Sequence, residues 1–153
     1  MNANDNNKRL EALFWSIAFP GFGQFRNNRL VKGVLFVLLE FLINCQSNLN
    51  MVIYFSFNGA IEQAIETTNY QWLLFYPCVY LFAMWDAYAD AGGSQIAYAY
   101  IPFVCGAYFG TIGVIYSPTF SIAGKILGPI WGSLSIMFVG IALGMIIRKG
   151  LLR

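Results

Sequence analysis

The sequence predicts an all-α fold, a polytopic transmembrane helical bundle with four spans plus an N-terminal half or full span. Three observations carry this. Of 153 residues, 58% are hydrophobic and 10% are charged, against about 45–50% and 25% in soluble domains. Mean hydropathy is +0.59. Charge-free intervals cover residues 67–85, 91–124 and 126–147, and a spanning helix needs about 20 apolar residues. The expected organisation is one transmembrane domain over residues 10–153, a disordered tail over residues 1–9, and no soluble module.

Residues 1–9 are polar and Asn-rich, as unordered termini are. The first apolar segment, 10–25, runs into the turn signal Pro20-Gly21-Phe22-Gly23. At roughly 24 Å of helix it crosses obliquely or lies half-inserted. The span 30–49 follows a short basic turn. Residues 50–58 either extend it or lie at the interface. Residues 61–68 read as a short surface helix, with Glu62 and Glu66 on one face and Ile61 and Ile65 on another. The span 71–90 contains Pro77, an expected kink, and closes at Gly92-Gly93-Ser94. The span 95–116 stops at Ser117-Pro118, and the last span is 120–147. Pro129 either kinks it or marks its true start.

Basic residues favour the cytoplasmic side. Arg26, Arg29 and Lys32 precede the second segment, the 50–70 loop has no Lys or Arg, and Arg148, Lys149 and Arg153 close the chain. Four spans after residue 30 put the basic turn and the C-terminus inside a cell membrane and the 50–70 loop outside. Lys8 and Arg9 favour a half-inserted first segment, because a full crossing puts them outside. The N-terminal stretch lacks a small-x-small cleavage site and is expected to be retained. No lipidation motif is read at either end. Trp15, Tyr70, Trp72, Trp85, Tyr88, Tyr98, Tyr100 and Tyr116 lie near span ends. They read as an interfacial aromatic belt, with an aromatic ligand cage as the alternative.

Several function classes drop out. A net charge of +2 without a Lys/Arg-rich run gives no nucleic-acid partner. Histidine is absent, which removes the commonest general base and metal ligand. Ser–His and Cys–His hydrolysis therefore cannot be built from this chain. Cys45, Cys78 and Cys105 are odd in number and sit in apolar segments. They read as buried free thiols acting as small hydrophobes. No cofactor and no metal are expected.

Glu40 is the sharpest pointer. A carboxylate at bilayer depth costs about 2.5–3.5 kcal/mol, so it faces protein or a wet cavity. With Gly33, Asn44 and Ser47 it shares one helix face, giving Glu40, Asn44 and Ser47 as a candidate intramembrane polar site. Three readings stay open. These are a proton- or cation-responsive site, a buried glutamate that only hydrogen-bonds, and a helix end nearer the interface. Lys125 is expected to snorkel from the outer end of the last helix. Asp86 and Asp90, four apart, suit a divalent cation or acid/base work. Alternatively they pair with Arg26, Arg29 or Lys32 as an inner-face charge cluster. Gly106 and Gly110, and Gly124, Gly128, Gly132, Gly140 and Gly144, are candidate helix-packing positions. Gly124 and Gly140 point about 160° apart on a helix. Two notches on nearly opposite faces follow, serving intramolecular neighbours or a homo-oligomer.

The run Pro20-Gly21-Phe22-Gly23-Gln24-Phe25, then Lys32-Gly33 and an apolar helix, resembles a group of small bacterial membrane proteins. These carry a Pro-Gly-x-Gly-Gln-aromatic turn between two helices and are loosely akin to TM2-domain hairpins. Asp86-Ala87-Tyr88 is similar to the Asp-Ala-Tyr that often ends a later helix there. The resemblance covers roughly residues 10–90. It departs at Arg26 and Asn28, where Tyr and Gly are usual, and lacks the TM2 histidine. It implies a helical integral membrane protein with no catalytic residues to carry over. At the turn itself, Gly21 and Gly23 permit tight geometry and Gln24 is expected to satisfy freed amides.

The expected function is a non-enzymatic accessory or structural role, exercised through helix contacts or a membrane protein partner in the lipid bilayer. The alternative is a small transporter or channel subunit using Glu40. A membrane enzyme using Asp86 and Asp90 is the third reading.

Overall fold

Helix α1 runs Ala3–Ala18 in the computed structural model, which describes residues 3–153. The tail expected to be disordered over 1–9 is thus helical from Ala3 onward; its first two residues lie outside the described ones. Asp5 in the first turn complements the helix dipole. Arg9, Ala12 and Ser16 form a buried stripe, and α1 packs on α7 (Tyr76–Asp90). Tertiary contact overrides the polar composition.

The chain reverses at Pro20-Gly21. Gly21 has φ of +103°, and a Cβ there would lie 2.6 Å from the Gly33 carbonyl oxygen, so the turn requires glycine. Helix α2 (Phe22–Arg26) returns along α1, and Arg26 Nε meets Glu11 Oε1 at 2.6 Å. The start of α1 and the end of α2 therefore lie at the same end of the molecule.

Helix α3 (Leu30–Ser47) buries Gly33, Phe36, Glu40, Ile43 and Ser47, one stripe at helical spacing. Its opposite face is bare; Val31 is 85% exposed. Asn48 takes a left-handed conformation (φ 58°) and ends the helix. Helix α4 (Leu49–Phe57) is therefore a separate element, not an extension. The surface helix forms as α5 (Ile61–Thr67), followed by the single turn α6 (Tyr70–Leu73).

Prolines start the next three helices. Pro77, Pro102 and Pro129 sit in the first turns of α7, α8 (Ile101–Tyr116) and α9 (Gly128–Leu151). Pro77 begins a helix where a kink was expected, and Pro129 marks a true start. A first-turn proline loses no hydrogen bond and is pre-set in φ. Gln95 ends a single 3-10 turn, Gly93–Gln95; residues 96–100 are accordingly not helical span, and neither are 120–127. The latter fold into a hairpin, β1 (Ser121–Ile122) on β2 (Lys125–Ile126), with Ile122 opposite Lys125. Ala123 and Gly124 both have positive φ, the geometry of a type I′ turn. Lys125 and Gly124 thus belong to a surface hairpin and not to the last helix.

Two helices, α3 and α9, are long and apolar enough to cross a membrane, with 18 and 24 residues. That is about 27 and 36 Å. Helices α7 and α8 have 15 and 16 residues, about 22–24 Å. Helices α8 and α9 share the largest interhelical contact.

The ends of the bundle differ in charge. At one end, Asn27 Nδ2 donates to the Ala87 carbonyl (2.7 Å) and Arg148 Nε to the Ala97 carbonyl (3.2 Å). Every Lys and Arg except Lys125 belongs to this end. At the other, Asn48 Nδ2 donates to the Thr67 carbonyl and Trp131 Nε1 to the Ser56 carbonyl, both at 3.0 Å. Glu62 and Glu66 lie there, on α5.

Candidate functional site

The polar groups of the cationic end are brought together by α2, α3 and α7. Lys32 Nζ lies 2.7 Å from Asp86 Oδ1 and 3.0 Å from Asp90 Oδ2, and Arg29 Nε lies 3.3 Å from Asp90 Oδ2. Positions 86 and 90 stack on one face of α7, so one ammonium bridges both carboxylates. Arg26 does not join them; it pairs with Glu11 through two hydrogen bonds. Bonding to that carboxylate holds the Arg26 guanidinium above its ordinary pKa. Among the described residues no group of three or more His, Cys, Asp and Glu side chains converges as metal ligands.

Gln24 is wholly buried at the same end. Its Nε2 donates to the Ala83 carbonyl (2.8 Å) and to Asp86 Oδ2 (3.1 Å). Gln24 therefore serves an acceptor on α7 and not the amides of its own turn. Its Oε1, the atom that could accept from an amide of the turn, has no partner among the described residues. Asn27, which the sequence did not single out, pins the same helix.

Deeper in the bundle, Glu40 is 5% exposed. Tyr76 Oη donates to its Oε1 at 3.2 Å, and Oε2 has no partner among the described residues. Asn44 and Ser47 do not share this site. Asn44 Nδ2 turns to Asn50 Oδ1 (3.1 Å), and Ser47 Oγ bonds back to the Ile43 carbonyl (2.6 Å). Both sit in the last turns of α3, where short polar side chains satisfy local backbone and neighbours first. One turn along α7, the Tyr80 ring stacks on Tyr76 at 5.5 Å, and its hydroxyl donates to the Ile17 carbonyl at 2.6 Å. This fills a carbonyl left open by the end of α1. Two tyrosines four apart within an apolar run were the available signal.

A cavity of about 470 Å³ lies beside these tyrosines, between the end of α1 and helices α4, α7 and α9. Its lining is almost wholly apolar, and Glu40 is not part of it. The Glu40 carboxylate stands behind Tyr76.

The glycines divide. A Cβ at Gly140 would lie 2.6 Å from the Cys105 carbonyl oxygen, and one at Gly144 2.7 Å from Pro102 Cα. Gly106 meets Ile141, and Gly110 meets Pro77 and Met137. These four set a close α7–α8–α9 approach. Gly113 belongs with them, at 2.8 Å from Ser133 Cα, and completes a four-then-three spacing on α8. Gly132 is only in ordinary contact with Ser117. Gly128 opens α9 with positive φ against Ile61, and Gly124 has open space around it. The second, opposite notch does not exist, because Gly124 is not helical.

Trp85 packs on Tyr88, Tyr100 and Phe103, and Tyr88 on Phe103, between α7 and the start of α8. Cys45 and Cys78 are exposed on outward helix faces and Cys105 is half-buried. These thiols are therefore not core residues, since the outward faces of so apolar a chain are themselves hydrophobic.

No protein-family model, curated protein or solved structure matches this chain.

Proposed function

We propose that the chain is a multi-pass protein of the cell membrane with four crossings, α3, α6–α7, α8 and α9, and a re-entrant N-terminal hairpin of α1 and α2. The C-terminus is cytoplasmic. Its role is non-enzymatic, accessory or structural, and works through contacts in the bilayer with a protein partner or a second copy. The carrying observation is the use of Asp86 and Asp90: both are tied to Lys32, which locks α3 to α7. The carboxylates best suited to chemistry are thereby committed to architecture. The orientation is supported by the gathering of cations at one end. The turn at Gly21 supports re-entry, because it returns the chain to the end where α1 began.

The unpaired Oε2 of Glu40 favours a second reading, a proton or cation conductor. Against it, Glu40 lies outside the apolar cavity. Reconstituted wild type and Glu40→Gln in liposomes, compared for pH-driven proton and cation flux, separate the two. Absence of flux in both is the expected result. Flux in the wild type that is lost in a folded Glu40→Gln would replace the accessory role with conduction.

A further inference from the structure

We propose that the cavity between α1, α4, α7 and α9 binds the hydrocarbon chain of a bilayer lipid. The proposal rests on the membrane-spanning architecture above. The floor includes Leu81 and Val114, both almost fully buried, while Ile53, Phe57 and Phe138 at the mouth are exposed. The opening therefore faces sideways, toward the hydrocarbon core.

Three hydroxyls reach the wall, and each is turned into protein. Tyr76 donates to Glu40, Tyr80 to the Ile17 carbonyl, and Ser133 to the Gly110 carbonyl. No carboxylate or cation lines the cavity. A resident water needs two to four polar partners, and apolar cavities lacking them stay dry. A polar solute finds nothing to bind for the same reason.

Size excludes two other outcomes. An apolar cavity of about 150 Å³ already takes up a benzene-sized guest, and this one holds about 470 Å³. Emptiness on that scale departs far from the close packing of protein interiors. A partner helix is too bulky, since two turns about 10 Å across and 10.8 Å long already fill roughly 850 Å³. A flexible hydrocarbon chain entering from the side fits both the chemistry and the shape.

The test uses the full chain in phosphatidylcholine vesicles whose acyl chains carry a mid-chain photoreactive diazirine, with adducts mapped by mass spectrometry. Adducts are expected on the floor, at Leu81 or Val114, as well as on the outward residues Leu38 and Ile146. Leu134→Trp, which fills the cavity, is expected to lose the floor adducts and keep the outward ones. Met84→Phe serves as a milder filling variant should the first not fold. Labelling of Leu38 and Ile146 with a bare floor overturns the proposal and leaves the membrane architecture standing. No labelling at Leu38 or Ile146 overturns the architecture, and the proposal with it. Floor adducts that persist in a folded filled variant also overturn it. So does a crosslink from a photoreactive side chain at position 53 to a second protein chain.

Discussion

Valine at position 140 of α9 would push its Cβ to 2.6 Å from the Cys105 carbonyl oxygen and 2.5 Å from Phe109 Cβ. Ordinary contact starts at 3.4 Å, so α8 and α9 must part by roughly 0.9 Å for the Cβ alone. The oxygen in the way is backbone and cannot rotate aside, and two γ-methyls add to the crowding. Overpacking of this kind costs about 1–3 kcal/mol, and valine belongs at the upper end. Gly150, in the same helix, has no atom within 4 Å of its would-be Cβ. Gly and Val differ by only a few tenths of a kcal/mol in helix propensity. The gap between Gly140→Val and Gly150→Val therefore isolates the clash, and should be about 2–3 kcal/mol. SDS titration of both purified variants in mild detergent, followed by far-UV circular dichroism, reads it directly. Coincident midpoints would refute the reasoning, because the α8–α9 seam would then be loose enough to accept a side chain.

Two further substitutions probe the polar contacts. Tyr76→Phe leaves both Glu40 oxygens without a donor and should cost about 1–3 kcal/mol. Adding Glu40→Leu should recover much of that loss, and a double-mutant cycle giving no coupling would show that the contact at 3.2 Å does not matter. Lys32→Met strips the bridge from Asp86 and Asp90. With the lysine nearly half exposed, the cost should be about 1 kcal/mol. The difference from wild type should shrink as salt is raised, and a salt-independent difference would assign it to packing instead.

The all-helical fold, with two helices long and apolar enough to cross a membrane, could be read from the sequence because apolar runs report burial in lipid or protein alike. The pairing of Lys32 with Asp86 and Asp90 was readable too, since one topology put all three at the same end. Helix starts were harder. Pro77, Pro102 and Pro129 were there to mark them, but an uninterrupted hydrophobic run outweighed the first-turn signal. Gly124 looked like part of a packing stripe because spacing alone cannot tell a helix face from a turn; its positive φ comes from the neighbouring Ala123 and the hairpin. Glu40 stood out by its charge, while its partner Tyr76 lay 36 residues away and nothing local announced it. Arg9 was hidden for the converse reason. A cation in a polar tail reads as solvated, and only the packing of α1 on α7 buries it to 4% exposure.

The anchoring of Gln24 sets an order of events during synthesis. Its acceptor on Ala83 lies 59 residues downstream, and that of Asn27 lies 60. At about 5–20 residues per second, the ribosome makes those acceptors roughly 3–12 s after the hairpin itself. Until then the side-chain amides of Gln24 in α2 and of Asn27 at its end lack these partners, and water is the substitute. The N-terminal hairpin therefore gains these two contacts only after α3 and α7 have been made, and its docking on α7 follows theirs. The first helices to be translated are among the later ones to reach their final places.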